Sequence, residues 1–145
     1  MTDSPTSDAE QLRKRQAIAD LMPKTPFIGW LGLTFERFEP DDVTMRLPFR
    51  EDLTNDGRVY HGGVVASAID TAGAGAAWSN HDFDNGTRAS TISLTINYVG
   101  AARNSDLVCR AVTRKRGREL IFTEITATDD EDRIVAHAVQ TYRIA

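Results

Sequence analysis

Between two blocks of strand-like alternation, this chain carries one proline-free run, Val64 to Trp78, built largely of Ala, Gly and other small residues. It follows directly on His61-Gly62-Gly63 and reads as a helix. Gly73 and Gly75 each disfavour a helix by about 1 kcal/mol relative to alanine, so their use is close packing. A helix this smooth, with strands on both sides, is one that a curved sheet can wrap tightly. The order lacks the repeated βα alternation of a parallel sheet and predicts an α+β chain.

The strands follow from the side-chain period. A first strand carries Leu33, Phe35 and Phe38, and a turn at Pro40-Asp41-Asp42 leads to a second. There Val43, Met45, Leu47 and Phe49 alternate with Thr44 and Arg46. Pro48 sets that strand near an edge, or points its missing donor away from a partner. After the helix, Ile92, Leu94, Ile96 and Tyr98 alternate with Thr91, Ser93, Thr95 and Asn97. Leu107 to Thr113, Leu120 to Thr128 and Ile134 to Tyr142 complete four strands, with a hairpin at Arg116-Gly117-Arg118 and an acidic turn from Asp129 to Asp132.

Residues 1–7 read as a tail and 8–22 as a helix ended by Pro23. Ser7 and Glu10 have capping-box spacing, in which each side chain satisfies the other's backbone N–H. The prolines in Pro23 to Phe27 predict an extended, turning connection. With 145 residues, no repeat and no linker, the expectation is one domain over 1–145.

Composition excludes several classes. A net charge of -4 argues against a general nucleic-acid binder. No apolar run approaches the roughly 20 residues of a membrane span, and no basic-then-apolar leader opens the chain, so no membrane role and a cytoplasmic setting are expected. Cys109 is the only cysteine, which rules out an internal disulfide and a multi-cysteine zinc site. It lies mid-strand and reads as a small buried hydrophobe. His61, His81 and His137 share no ligand spacing, so no metal is expected.

The chemistry concentrates between Asn55 and Trp78. Two glycines ahead of a helix leave backbone N–H groups bare at its positive end, able to hold an anion or the oxyanion of an attacked carbonyl. Asp70 lies within an apolar helix, where a carboxylate must meet a partner, a pocket or solvent. Its plain alternative is a carboxylate capping a loop or pairing with an arginine. Gly62 and Asp70 are eight residues apart, roughly 12 Å along a helix. One carbonyl cannot touch both, because reacting atoms come within about 3 Å. If both act on one substrate, they come from two copies of the chain, with two equivalent sites per two-fold dimer.

Asn55-Asp56-Gly57-Arg58-Val59-Tyr60-His61-Gly62-Gly63, with Asp70 seven residues on, resembles the PaaI-type branch of the hotdog thioesterases. Pro26-Phe27 before Leu31-Gly32, Leu47-Pro48-Phe49, Asp70-Thr71-Ala72 and Asn97-Tyr98 extend the likeness over roughly residues 26–142. The resemblance implies a hotdog fold: a long central helix wrapped by a curved antiparallel sheet, paired into a dimer and often into a dimer of dimers. It implies hydrolysis of an acyl-CoA, aryl-acetyl or medium-chain, to free acid and CoA, without a cofactor.

In the roles so implied, the Gly62 N–H polarises the carbonyl and the neighbouring subunit's Asp70 acts as nucleophile or general base. Asn55 helps position water or carbonyl, His61 braces the loop, and Thr91, or its neighbour Ser90, supports the water. Gly63 belongs to the substrate loop. Arg114, Arg116 and Arg118 form the densest basic cluster, either a solvated hairpin or a dock for the phosphates of CoA. Trp78 fills the core or lines the acyl pocket. Two rivals share the fold: an acyl-CoA sensor that does not cleave, against which Asp70 argues, and a hydratase, whose residue pattern is missing.

Overall fold

The computed structural model describes residues 4–145. Six strands form one antiparallel sheet in the order β1-β2-β4-β5-β6-β3. They are β1 (Thr34–Glu39), β2 (Asp42–Leu47), β3 (Ala89–Tyr98), β4 (Leu107–Arg116), β5 (Leu120–Thr128) and β6 (Ile134–Ile144). Helices α1 (Asp8–Leu21) and α2 (Pro26–Leu31) precede them, and α3 (Gly62–Ser79) lies between β2 and β3. The helix α3 packs against all six strands. Its buried face of Val65, Ala68, Ile69, Ala72 and Ala76 meets Val43, Met45, Leu47, Leu107, Cys109 and Ile125 from the sheet. This is the hotdog arrangement.

Small side chains let sheet and helix approach closely. At Gly75 an added Cβ would stand 2.8 Å from Phe35 Cε1. Buried residues alternate with more exposed ones from Leu107 to Val112 and from Leu120 to Thr128, and a bulge between Thr113 and Lys115 interrupts the alternation in β4. Pro48 falls one residue beyond β2, where no ladder bond is needed.

Four local expectations need correction. The segment after Pro23 is not extended: a 3-10 turn at Met22–Lys24 runs into α2, with Pro26 in its first turn and Gly32 closing it at φ 87°. Proline suits the first turn of a helix because no intrahelical partner awaits its N–H. At α1, Ser7 Oγ accepts from Glu10 N at 3.3 Å, and this half of the capping box is the one formed. Of the tail foreseen over 1–7, residues 1–3 lie outside the described residues, whereas Thr6 bonds Asp84 through N and Oγ1.

The fourth correction concerns β3. Its pairing with β6 shifts between Thr91 and Ser93, so Ile92 is an extra residue opposite the Tyr142–Thr141 step. The bulge turns Ile92 outward, 54% exposed, and turns Thr91 to the same side as Leu94 and Ile96. Strict alternation would have put Thr91 on the opposite face.

Candidate active site

The site has two halves at different levels of α3. The first is the helix start. Asp56 Oδ1 accepts from Arg58 N at 2.9 Å and Val59 N at 2.8 Å, while Asn55 N donates to Val59 O at 2.9 Å. Those backbone donors hold the Asp56 carboxyl below the usual carboxylate range. Gly57, at φ 89°, makes the turn that only glycine adopts freely. The loop returns through His61 N, which donates to Leu53 O at 3.0 Å.

His61 then caps the helix. Its Nδ1 accepts from Gly63 N at 2.8 Å, and its carbonyl accepts from Val64 N and Val65 N. Gly62 N–H finds no acceptor among the described residues. One bare donor therefore remains at the positive end of an 18-residue helix. Tyr98 holds this residue from β3, its hydroxyl donating to Gly62 O at 3.0 Å.

The second half lies two turns along. Asp70 Oδ1 accepts from Thr91 Oγ1 at 2.7 Å and from Gln140 Nε2 at 2.9 Å. The same Gln140 nitrogen donates to Asp70 O at 3.0 Å. Oδ2 has no partner among the described residues, and Asp70 borders a cavity of about 330 Å³. A carboxylate fixed through one oxygen and bare at the other is ready to take a proton or to attack.

Of the residues read from sequence, the structure brings Thr91 to Asp70 and His61, Gly62 and Gly63 to the helix start. Ser90 is exposed, and Asn55 is exposed on the loop. Within one chain the two halves stay apart, since Gly62 and Asp70 belong to the same continuous helix.

The arginines have different partners. Arg114 pairs with Glu124 at 2.9 Å, and both are exposed. Arg116 reaches Asp41 at 2.7 Å and donates to Ala77 O and Ala76 O, a cation on the C-terminal carbonyls of α3. Arg118 is exposed at the hairpin.

Trp78 is buried with Ile121, Tyr142 and Ile144, and it also lines the Asp70 cavity. Cys109 is fully enclosed, and burial pushes its thiol up to about 12, so it supplies no thiolate. His81 is buried, bonded to Gly86 O, while His137 is exposed on β6. No group of three or more metal-ligating side chains occurs among the described residues.

Sequence reasoning missed Tyr98 and Gln140. A signal for Gln140 existed: it follows Ala136 and Ala138 on the inward register of β6 and is 2% exposed.

With this geometry in view, comparisons with known proteins become specific. The family model described as "Thioesterase superfamily" matches residues 57–136, which span His61 to Thr91 and more than half the chain. The chain belongs to the thioesterase superfamily.

Rv1847 of Mycobacterium tuberculosis is 32% identical over 120 residues, covering 81% of this chain and 85% of that one. The Escherichia coli protein named medium/long-chain acyl-CoA thioesterase YigI is 25% identical over 134 residues, covering 82% and 85%. Among solved structures, E. coli PaaI of the phenylacetic acid degradation operon superposes with a TM-score of 0.81 at 20% identity, covering 93% and 96%. At that identity the likeness to PaaI is one of fold.

Proposed function

We propose that this protein hydrolyses apolar acyl-CoA thioesters to a free acid and CoA, as a cytoplasmic homo-oligomer. Asp70 of one protomer and the Gly62 N–H of its partner then act on one carbonyl. The observation that carries this reading is the edge strand β3. It binds Asp70 through Thr91 near one end and Gly62 through Tyr98 at the other. Its outer edge has no partner strand among the described residues, and Ile92 and Tyr98 on it are exposed.

Antiparallel pairing of two copies of β3 about a two-fold axis between Leu94 and Thr95 sets Thr91 opposite the partner subunit's Tyr98. Each Asp70 then comes beside the other chain's helix start, and both sites are equivalent. Pairing also removes an exposed edge, which favours association. The two-fold dimer is the unit that completes both sites, and it is compatible with further pairing into a dimer of dimers, a homotetramer.

The chemistry follows from these groups. Gly62 N–H donates to the thioester oxygen, and the α3 dipole favours the negative charge that grows there. Water attacks the carbonyl carbon and gives its proton to Asp70, while the C=O electron pair moves onto oxygen. Collapse of the tetrahedral intermediate breaks the C–S bond, and the departing CoA sulfur takes the proton from Asp70. Direct attack by Asp70, giving a mixed anhydride that water then opens, uses the same placement.

His61 accepts at Nδ1, which puts its ring proton on Nε2, and it keeps Gly63 occupied so that Gly62 remains the donor. Asn55 positions water or carbonyl from the loop. Thr91 orients Asp70, with Ser90 beside it at the rim. Arg114 and Arg118 meet CoA phosphates, and Arg116 braces the hairpin that carries them. The hydrolysis as written requires no cofactor.

The test is a panel of acyl-CoA esters with a thiol-trapping dye, comparing wild type with Asp70→Asn. Thiol release that falls about 100-fold or more in the variant, at unchanged fold and oligomer size, is the expected result. Acyl-CoA binding without release from any ester would instead make the protein a ligand sensor.

A further inference from the structure

A bare N–H stabilises an oxyanion only if its direction is held, and Gly62 N–H has no hydrogen bond of its own to hold it. Gly62 and Gly63 are also the two residues with most backbone freedom, placed in the first turn of α3 where an N–H has no partner within the helix. The restraint therefore comes from their surroundings. On one side, His61 N–H donates to Leu53 O at 3.0 Å, and the His61 carbonyl accepts from Val64 N at 3.0 Å and Val65 N at 3.3 Å. These bonds fix the peptide that carries the Gly62 N–H. On the other side, the Gly62–Gly63 peptide has its N–H on His61 Nδ1 at 2.8 Å and its carbonyl on the Tyr98 hydroxyl at 3.0 Å.

Tyr98 differs from the other members of this set because it comes from the sheet, 36 residues away, whereas they belong to the loop and the helix. It restrains Gly62 twice. A Cβ on Gly62 would lie 3.7 Å from Tyr98 Cε1, 3.8 Å from Cζ and 3.9 Å from the hydroxyl oxygen, so the phenol stands beside the glycine at van der Waals distance. The ring blocks movement towards β3, and the hydroxyl pins the carbonyl.

The bonds also form a chain. Tyr98 O–H donates to the Gly62 carbonyl, and the N–H at the far end of that peptide donates to His61. Hydrogen bonds linked through a peptide polarise and strengthen one another. The phenol thus reinforces the bond that removes Gly63 N–H from competition, and two adjacent glycine donors become one donor of fixed direction. A donor fixed before the reaction needs no reorganisation when charge develops.

Resting on the thioesterase reading, we infer that Tyr98 is a positioning residue for the reaction, which acts through Gly62 and His61 to select the Gly62 N–H as oxyanion donor and to set its direction. Its single hydroxyl proton is engaged by Gly62 O, so it is not itself the donor to the thioester. In one chain Tyr98 is 53% exposed on the edge of β3, where water competes for its bond. Pairing of two β3 edges excludes that water, so the association that brings the second chain's Asp70 also firms the donor it works with.

The experiment is a double-mutant cycle on thiol release from the fastest ester of the acyl-CoA panel, using wild type, Tyr98→Phe, Gly62→Pro and the double variant. Tyr98→Phe keeps the ring and the β3 edge, and should lower kcat about tenfold with KM and oligomer size unchanged. In the Gly62→Pro background, where no N–H remains to be aimed, the same change should alter kcat by less than about twofold. A second readout does not depend on Gly62→Pro folding. Amide hydrogen exchange of Gly63 should quicken about tenfold or more in Tyr98→Phe, while the amides of β3 stay as protected as in wild type.

An unchanged kcat in Tyr98→Phe, the same fold loss in both backgrounds, or an unchanged Gly63 exchange rate would overturn the positioning role while leaving the thioesterase reading intact. Absence of thiol release from every ester of the panel with wild type would overturn the thioesterase reading itself.

Discussion

Gly73 and Gln140 occupy each other's space: a Cβ on Gly73 would stand 2.3 Å from Gln140 Oε1 and 2.6 Å from its Nε2. That nitrogen bonds both Asp70 O and Asp70 Oδ1. The glycine therefore secures the aim of a carboxylate three residues before it. Gly73→Ala adds helix propensity worth about 1 kcal/mol, against overpacking of about 1–3 kcal/mol. The expected outcome is a small net loss in urea stability but a fall of about tenfold or more in kcat, because Gln140 must move off Asp70.

Gln140 also carries an orphan. Its Oε1 is the buried side-chain polar atom without a partner among the described residues. An unsatisfied buried acceptor is costly, so the residue is kept for its nitrogen. Gln140→Leu should lower kcat about 10- to 100-fold with little change in KM. Gln140→Glu, which keeps the shape but puts a second carboxyl beside Asp70, should move the pH–rate profile of kcat upward, a change that simple loss of packing would not produce.

Thr91→Val keeps the shape of the bulged strand and removes the hydroxyl that bonds Asp70. Steady-state kinetics should show kcat down by about tenfold at unchanged oligomer size. Ser90→Ala, on the neighbouring exposed residue, should change it far less.

A pH signature should come from His81. Burial lowers its folded-state value below the ordinary 6.5, against the smaller raising effect of the bond to Gly86 O. Beneath that pH the unfolded chain binds more protons than the folded one, so stability present above 6.5 is lost as the pH falls towards the folded value. Urea unfolding from pH 7 to 5 should show this decline, and His81→Asn should flatten it. A second loss is expected below about pH 4, where Asp42, held down by Arg110, and Asp130, held down by Arg46, become protonated.

The arginines should separate by readout. Arg116→Met removes the cation from the end of α3 and from Asp41, and should lower stability by about 1–2 kcal/mol. Arg118 is exposed and has no ion-pair partner among the described residues, so Arg118→Met should raise KM for the CoA ester while leaving stability within about 0.5 kcal/mol.

Much of this was legible in the sequence because it rests on local rules. The four C-terminal strands and the α3 run follow from period and propensity, whereas the two bare glycine donors expected at the helix start are reduced to Gly62 N–H, because His61 Nδ1 takes the Gly63 N–H. The aim of Thr91 was not legible, since a bulge reverses the alternation and Ile92 gives no sign of being the extra residue. Helix α2 was hidden by prolines that signal a turn and a helix start equally well. Gln140 was hidden by sequence distance, for it reaches Asp70 from 70 residues away. The engagement of Arg116 with α3 depends in the same way on tertiary contact.

The central claim is that Asp70 and Gly62 serve one carbonyl from two chains, and it has a direct test. Gly62→Pro deletes the N–H at the first helical position, where proline is tolerated. His61 already has the φ -59°, ψ 137° that a residue before proline prefers. Added atoms find room, since a Cβ there would lie 3.7 Å from Tyr98 Cε1. The variant should fold and lose about 100- to 1,000-fold in kcat. Asp70→Asn alone should be similarly inactive. Co-expression of the two variants with different tags, followed by isolation of the mixed dimer, then decides the matter. The expected result is recovery of about half the wild-type activity per mixed dimer, because one of its two sites combines an intact Asp70 with an intact Gly62. A mixed dimer as inactive as either parent would contradict the account.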